Sequence, residues 1–118
     1  MRLRFPKSAR LSRAAEFERV KKEGVTSHGK FMVLKVLQLA EEKSVRAGFV
    51  TSRRVGNAVV RNQIRRRLRE IVRLNFLRIN PGTWLVLIAR STAAAASYRE
   101  LEQEWLRLVE RTSILAAP

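Results

Sequence analysis

Residues 51–73 constrain the fold more than any other part of the chain. They hold eight arginines, no lysine and a single acid, Glu70. Projected at about 100° per residue, Val60, Ile64, Leu68, Ile71, Val72 and Ile79 fall on one stripe. Asn62, Arg65, Arg66, Arg69 and Arg73 share an adjoining face, and Arg61 and Arg67 lie on the two borders. The spacing predicts an amphipathic helix over residues 57–79, with Asn57 as N-cap and Asn80-Pro81-Gly82 as the stop. One side of that helix must be buried, and the other gathers like charge. Arginines four apart (Arg61, Arg65, Arg69, Arg73) weaken a helix by a few tenths of a kcal/mol per pair. A chain tolerates this most readily when a polyanion supplies the counter-charge. Arg53 and Arg54 add two cations beside the helix N-terminus, whose backbone N–H groups can themselves receive a phosphate.

The other elements follow from periodicity and punctuation. A first helix is predicted over 13–23, with Ser12 as N-cap, Phe17 and Val20 on a narrow seam, and Gly24 after its end. Residues 30–40 read as a strand. Alternation puts Phe31, Val33, Lys35, Leu37 and Leu39 on one face and Met32, Leu34, Val36 and Gln38 on the other. Glu41-Glu42-Lys43 reads as a turn into a strand over 44–52, so these two strands are expected to form an antiparallel hairpin. A short strand at 25–27 and a buried one at 83–90 complete the sheet. The last helix opens with a capping box, Ser97 and Glu100, and has Leu101, Trp105, Leu108 and Val109 as its core seam. The expected fold is α+β: helix, strands, helix, strand, helix, in a two-layer sandwich around a small, mostly antiparallel sheet. At 118 residues it should be a single domain, with a basic arm over about 1–12 and a frayed tail over about 113–118.

The charge balance points to the class of partner. The chain carries 25 Lys plus Arg against 10 Asp plus Glu, a net charge of +15. Nearly half of that excess lies in residues 51–73, whereas residues 91–118 are slightly acidic. Charge this concentrated is the footprint of a polyanion site, and arginine's planar fork suits phosphate oxygens and base stacking. The chain has no cysteine, so no disulfide or thiolate metal site is possible. No apolar run approaches the ~20 residues needed to span a bilayer, and the basic N-terminus has no signal-peptide core behind it. A cytoplasmic protein is expected.

Catalytic groups are missing from the pattern. His28 is the only histidine and sits in a loop segment. Glu41 and Glu42 are neighbours at a strand end, and Glu100, Glu102 and Glu104 read as part of a solvated helix surface. No catalytic constellation and no protein-bound metal or cofactor are expected.

One run is more specific than any of this. Ser52-Arg53-Arg54-Val55-Gly56-Asn57-Ala58-Val59-Val60-Arg61-Asn62-Gln63-Ile64-Arg65-Arg66-Arg67-Leu68-Arg69-Glu70 closely resembles the signature of the protein subunit of bacterial ribonuclease P. Weaker similarity extends through Arg2-Leu3 to Arg10-Leu11, the Phe17…Val20…Gly24 pattern, the Phe31 strand and the apolar strand ending Ile88-Ala89-Arg90. The resemblance implies an α/β sandwich with a left-handed βαβ crossover. It implies that a catalytic RNA with bound Mg²⁺ removes the 5′ leader of precursor tRNA, while the protein binds both RNAs. Arg53, Arg54, Arg61, Asn62, Arg65, Arg66 and Arg69 match the signature, and Arg73 continues it on the same helix face. Phe17 matches an aromatic lining the leader cleft, and Lys21 and Lys35 stand where some relatives have aromatics. Phe31 is a further leader-binding candidate, although Phe17 and Phe31 also fit a core. No membrane and no obligate protein partner are implied.

Two other readings share the size and charge. A structural ribosomal protein would need no signature. A helix-turn-helix DNA binder would need base-reading groups, and a four-arginine face offers mainly phosphate contacts.

Overall fold

A computed structural model describes residues 7–115. Three helices, α1 (Ala14–Glu23), α2 (Ala58–Asn75) and α3 (Tyr98–Thr112), accompany four strands. These are β1 (Val25–His28), β2 (Met32–Gln38), β3 (Arg46–Val50) and β4 (Thr83–Ala89). Their order across the sheet is β1-β2-β4-β3.

That order overturns the expected hairpin. β2 and β3 do not pair; β4 lies between them, antiparallel to β2 and parallel to β3. The apolar run at 83–89 explains the choice, because a strand buried on both faces belongs at the centre of a sheet. Six of the seven β4 residues are buried. The parallel pair β3 and β4 is joined through α2, which makes this the crossover unit.

The sheet separates two apolar layers. On one face Met32, Leu34, Val36, Leu85 and Leu87 pack with Ile64, Leu68, Ile71 and Val72 of α2. Leu101, Trp105, Leu108 and Val109 of α3 join them, as the seam required. On the other face Trp84 and Val86 meet Leu11 and Val20, with Phe17, Leu37, Val50 and Ile88 packed alongside. Helices α2 and α3 therefore cover one side of the sheet, and α1 covers part of the other.

Three boundaries outside the sheet differ from expectation. Ser12 is not the N-cap of α1. Arg13 holds that position, and the Glu16 carboxylate accepts the backbone N–H groups of both Ser12 and Arg13 at 3.0 Å. α2 ends at Asn75, and a 3-10 turn over Phe76–Arg78 brings Ile79 back to the core. Residues 113–115 are fixed rather than frayed. Ile114 is fully buried, its carbonyl accepts the Asn80 N–H at 2.8 Å, and Leu115 pairs with Ile79. The ends of the expected arm and tail, 1–6 and 116–118, lie outside the described residues.

Glu16 also accepts from the Arg46 guanidinium at 2.7 Å, tying α1 to β3. The backbone hydrogen bond from Arg13 is the largest influence on this carboxyl and holds its pKa below the usual 4.5, against the opposing effect of burial. A carboxyl whose folded pKa is depressed adds stability above its unfolded value and loses it as the pH falls through the folded one. Acidification below 4.5 should therefore lower the urea midpoint more in the wild type than in Glu16→Gln. Identical acid limbs in the two proteins would show that the carboxyl is not coupled to folding.

A candidate nucleic-acid interface

The basic face begins at a tight turn. Arg53–Val55 forms a 3-10 turn that leaves Arg53 and Arg54 exposed and Val55 in the core. Gly56 follows at φ +151°, a conformation that side chains rarely adopt, and a Cβ there would sit 3.0 Å from Val60. Asn57 then caps α2, its Oδ1 accepting the Val60 N–H at 3.0 Å. The turn and the cap together fix where the arginine face starts.

Along α2 the predicted residues behave differently from one another. Asn62 and Arg66 are exposed, whereas Arg61, Arg65, Arg69 and Arg73 are half-buried. Arg65 donates to the Thr51 hydroxyl at 2.6 Å and to Asn62 Oδ1 at 3.1 Å, so its guanidinium is already oriented. Arg69 lies 5.9 Å from the centre of the Phe49 ring. Burial, then the charges of Arg10 and Arg65, hold the Arg69 pKa below the usual arginine value. The Nε atoms of Arg61 and Arg69 are buried without a hydrogen-bond partner. Buried donors left in this way are uncommon and want an acceptor.

Arg73 departs from the expected open cation. It makes a two-pronged bond to Glu70, at 3.0 and 2.6 Å, and that bond raises its pKa. Its charge is largely answered within the helix. Arg67, on the border of the face, donates to the Ala96 carbonyl at 3.3 Å and braces the turn before α3.

The other predicted group divides. Phe17 packs from α1 onto the sheet face that α1 only partly covers, and stays half-exposed. Its ring presses on Gly48, where a Cβ would meet ring carbons at 2.5 Å. Only glycine lets Phe17 lie this close to the sheet. Lys21, one helical turn further on, is exposed. Lys35 is half-buried on β2, its ammonium donating to the Thr26 hydroxyl at 3.0 Å. By strand alternation its side chain belongs to the same sheet face as Leu37.

Phe31 is not with them. It precedes β2, is 8% exposed and packs in the core layer beneath α2 and α3. Its backbone N–H donates to Glu104, which turns it off the alternation assumed for a strand starting at residue 30. The core reading of Phe31 therefore replaces the cleft reading.

Glu104 also departs from its expected place on a solvated helix surface. It is 2% exposed, and its carboxylate accepts the backbone N–H groups of Lys30, Phe31 and Met32 at 2.8–2.9 Å. A sequence signal was present: Glu104 falls on the same helical stripe as Leu101 and Leu108. Arg10, a member of the expected basic arm, lies on one groove with Arg69 and acts on its charge.

Comparison with known proteins places the chain. The model of the Ribonuclease P family matches residues 5–113. The ribonuclease P protein component of Chloroflexus aurantiacus is 39% identical over 92% of this chain and 81% of its own length. That of Symbiobacterium thermophilum is 38% identical over 92% of this chain and 95% of its own. Among solved structures, the Staphylococcus aureus RNase P protein superposes with a TM-score of 0.85 at 25% identity, covering 92% of this chain and 99% of that one. The Thermotoga maritima protein gives 0.75 at 28% identity, over 86% and 96%. Agreement in both sequence and fold along nearly the whole chain leaves one assignment, and the chain belongs to the ribonuclease P protein family.

Proposed function

We propose that the open face of α2 is where this subunit of ribonuclease P holds its catalytic RNA, and that the sheet face beside α1 receives the 5′ leader of precursor tRNA. The protein is the non-catalytic subunit of an endoribonuclease that matures the 5′ end of tRNA. One observation carries the division of surfaces. The apolar stripe of α2 and the Phe17 side of α1 pack on opposite faces of one sheet, and the two basic surfaces meet only at a groove shared by Phe17 and Arg69. Arg53, Arg54, Arg61, Asn62, Arg65, Arg66 and Arg69 meet phosphates of the catalytic RNA, and Arg73 contributes less because Glu70 already holds it. Phe17 stacks on a leader base, with Lys21 and Lys35 supplying charge. Mg²⁺ travels with the catalytic RNA, and the complex works in the cytoplasm. Among the described residues no helix is long and apolar enough to cross a membrane.

Salt titration tests the α2 face. Five to seven neutralised phosphates should give a slope of log K against log salt of about −4 to −6. A slope shallower than about −2 would show that these arginines do not meet phosphates.

The leader side has its own test. Phe17→Ala should weaken binding of precursor tRNA to the reconstituted holoenzyme by about 1–3 kcal/mol, the usual worth of a base stacked on an aromatic. Affinity for the catalytic RNA and for mature tRNA should hardly change. Equal weakening of precursor and mature tRNA would return Phe17 to the core.

A further inference from the structure

Among the described residues three polar or charged ones are buried: Thr51, Thr83 and Glu104. Two of them serve the fold. Glu104 holds the turn before β2, and the Thr83 hydroxyl donates to the Asn80 carbonyl at 2.7 Å, closing the turn into β4. Thr51 is used differently. It stands one residue past β3, is 7% exposed, and its hydroxyl accepts from the Arg65 guanidinium at 2.6 Å. A buried hydroxyl costs stability unless it is bonded, and this one is bonded to a side chain of the basic face.

The contact follows from how β3 and α2 run past each other. Residues two apart on an extended segment, such as Phe49 and Thr51, are separated by about 6.6 Å. One helical turn, from Arg65 to Arg69, rises about 6 Å. The two spacings match, so Thr51 meets Arg65 while the Phe49 ring lies 5.9 Å from Arg69. Arg65 has a second bond, to Asn62 at 3.1 Å, but that one lies within the helix and is exposed to water. The Thr51 bond is part-buried and anchored on another element, where hydrogen bonds are electrostatically stronger. It therefore sets where the guanidinium points. An arginine offers five N–H groups, and these two bonds leave the rest of the fork for a phosphate.

We propose that Thr51 is a positioning residue for RNA binding, its hydroxyl presetting the Arg65 guanidinium for a phosphate of the catalytic RNA. The proposal rests on the reading of α2 as the RNA-binding face. An arginine free in water loses rotamer freedom when it meets a phosphate, and one already held loses less. Thr51 adds no charge, so losing its hydroxyl lowers affinity without changing the number of phosphates neutralised.

Thr51→Val keeps the branched shape and removes the hydroxyl, whereas Thr51→Ser keeps the hydroxyl. Thr51→Ala is a second hydroxyl-free variant in case valine disturbs the packing around it. Each is made in the full chain, alone and combined with Arg65→Ala. Affinity for the catalytic RNA is measured over a salt series, with circular dichroism and urea unfolding reporting the fold. Thr51→Val should weaken binding about 3–10-fold, with Thr51→Ser within about twofold of the wild type. The salt slope of Thr51→Val should match the wild type, whereas Arg65→Ala should make it shallower by about one. In the Arg65→Ala background the valine should have no further effect. A threonine that only supports the fold would weaken binding by the same factor in both backgrounds, and that result overturns the proposal. So does wild-type binding by the valine and alanine variants while Arg65→Ala and Arg66→Ala weaken it, and the α2 reading then stands. If Arg65→Ala and Arg66→Ala leave binding unchanged, the α2 reading falls and the role of Thr51 falls with it.

Discussion

Glu104→Ala is expected to destabilise the protein by about 3–6 kcal/mol, a large share of the ~5–15 kcal/mol that holds a domain together. The carboxylate is 2% exposed and receives three backbone N–H groups in a row, from Lys30, Phe31 and Met32. Alanine leaves those donors without an acceptor, and each such loss costs about 1–3 kcal/mol. Water entering the gap would bring the total towards the lower figure. Glu104→Gln keeps an acceptor oxygen but turns an amide N–H₂ towards the same donors, so its loss should be intermediate. Urea unfolding of the three proteins measures this directly. A shift below about 1 kcal/mol for the alanine variant would mean that the turn finds other partners.

The largest binding effect should come from Arg65→Ala, Arg66→Ala and Arg69→Ala combined. A charged hydrogen bond to phosphate contributes about 1.5–3 kcal/mol, so three lost together weaken binding of the catalytic RNA by at least about a thousandfold. The fold should survive, because none of the three belongs to the buried stripe of α2. Arg65 does give up its bond to Thr51, but removing like charges from one helix face offsets part of that. Arg73→Ala is the informative comparison. With its guanidinium already bound to Glu70, its loss should weaken binding far less than the loss of Arg66. Equal effects at a single stated salt concentration would show that the Glu70 pair opens on binding.

The periodicity of α2 made its two faces legible, because a 3.6-residue repeat sorts apolar from charged positions without knowledge of the partner. The capping box at Ser97 and the seam of α3 were legible for the same reason, and both stand in the structure. Sheet order was not legible. Glu41-Glu42-Lys43 is a good turn between two strands, and nothing local says that residues 83–89 will lie between them. Two residues of strand boundary decide Phe31: starting β2 at Met32 instead of Lys30 removes Phe31 from the alternation, and the cause is a glutamate more than seventy residues away. Glu104 carried a visible signal, a charge on an apolar stripe, whose meaning depended on a turn that the helix pattern alone does not describe. The cluster around Arg10 was hidden because its members come from the arm, β3 and α2, which only the fold brings together.

The position of β4 also sets the order in which the chain can assemble. It pairs with both β2 and β3, yet it is the last of the four strands in the sequence. Until it is synthesised, β2 and β3 have no shared partner, and each keeps an edge open to other chains. The antiparallel β1–β2 pair can close early, since only a short turn separates its strands. Joining β3 to β4 instead requires the whole of α2 to be looped out, and contacts across such long loops are slow to form. On the ribosome the growing chain therefore passes through a stage with a finished hairpin, a strongly cationic helix and no central strand. At that stage the charge of residues 51–73 works against self-association, keeping half-made sheets apart until the central strand arrives.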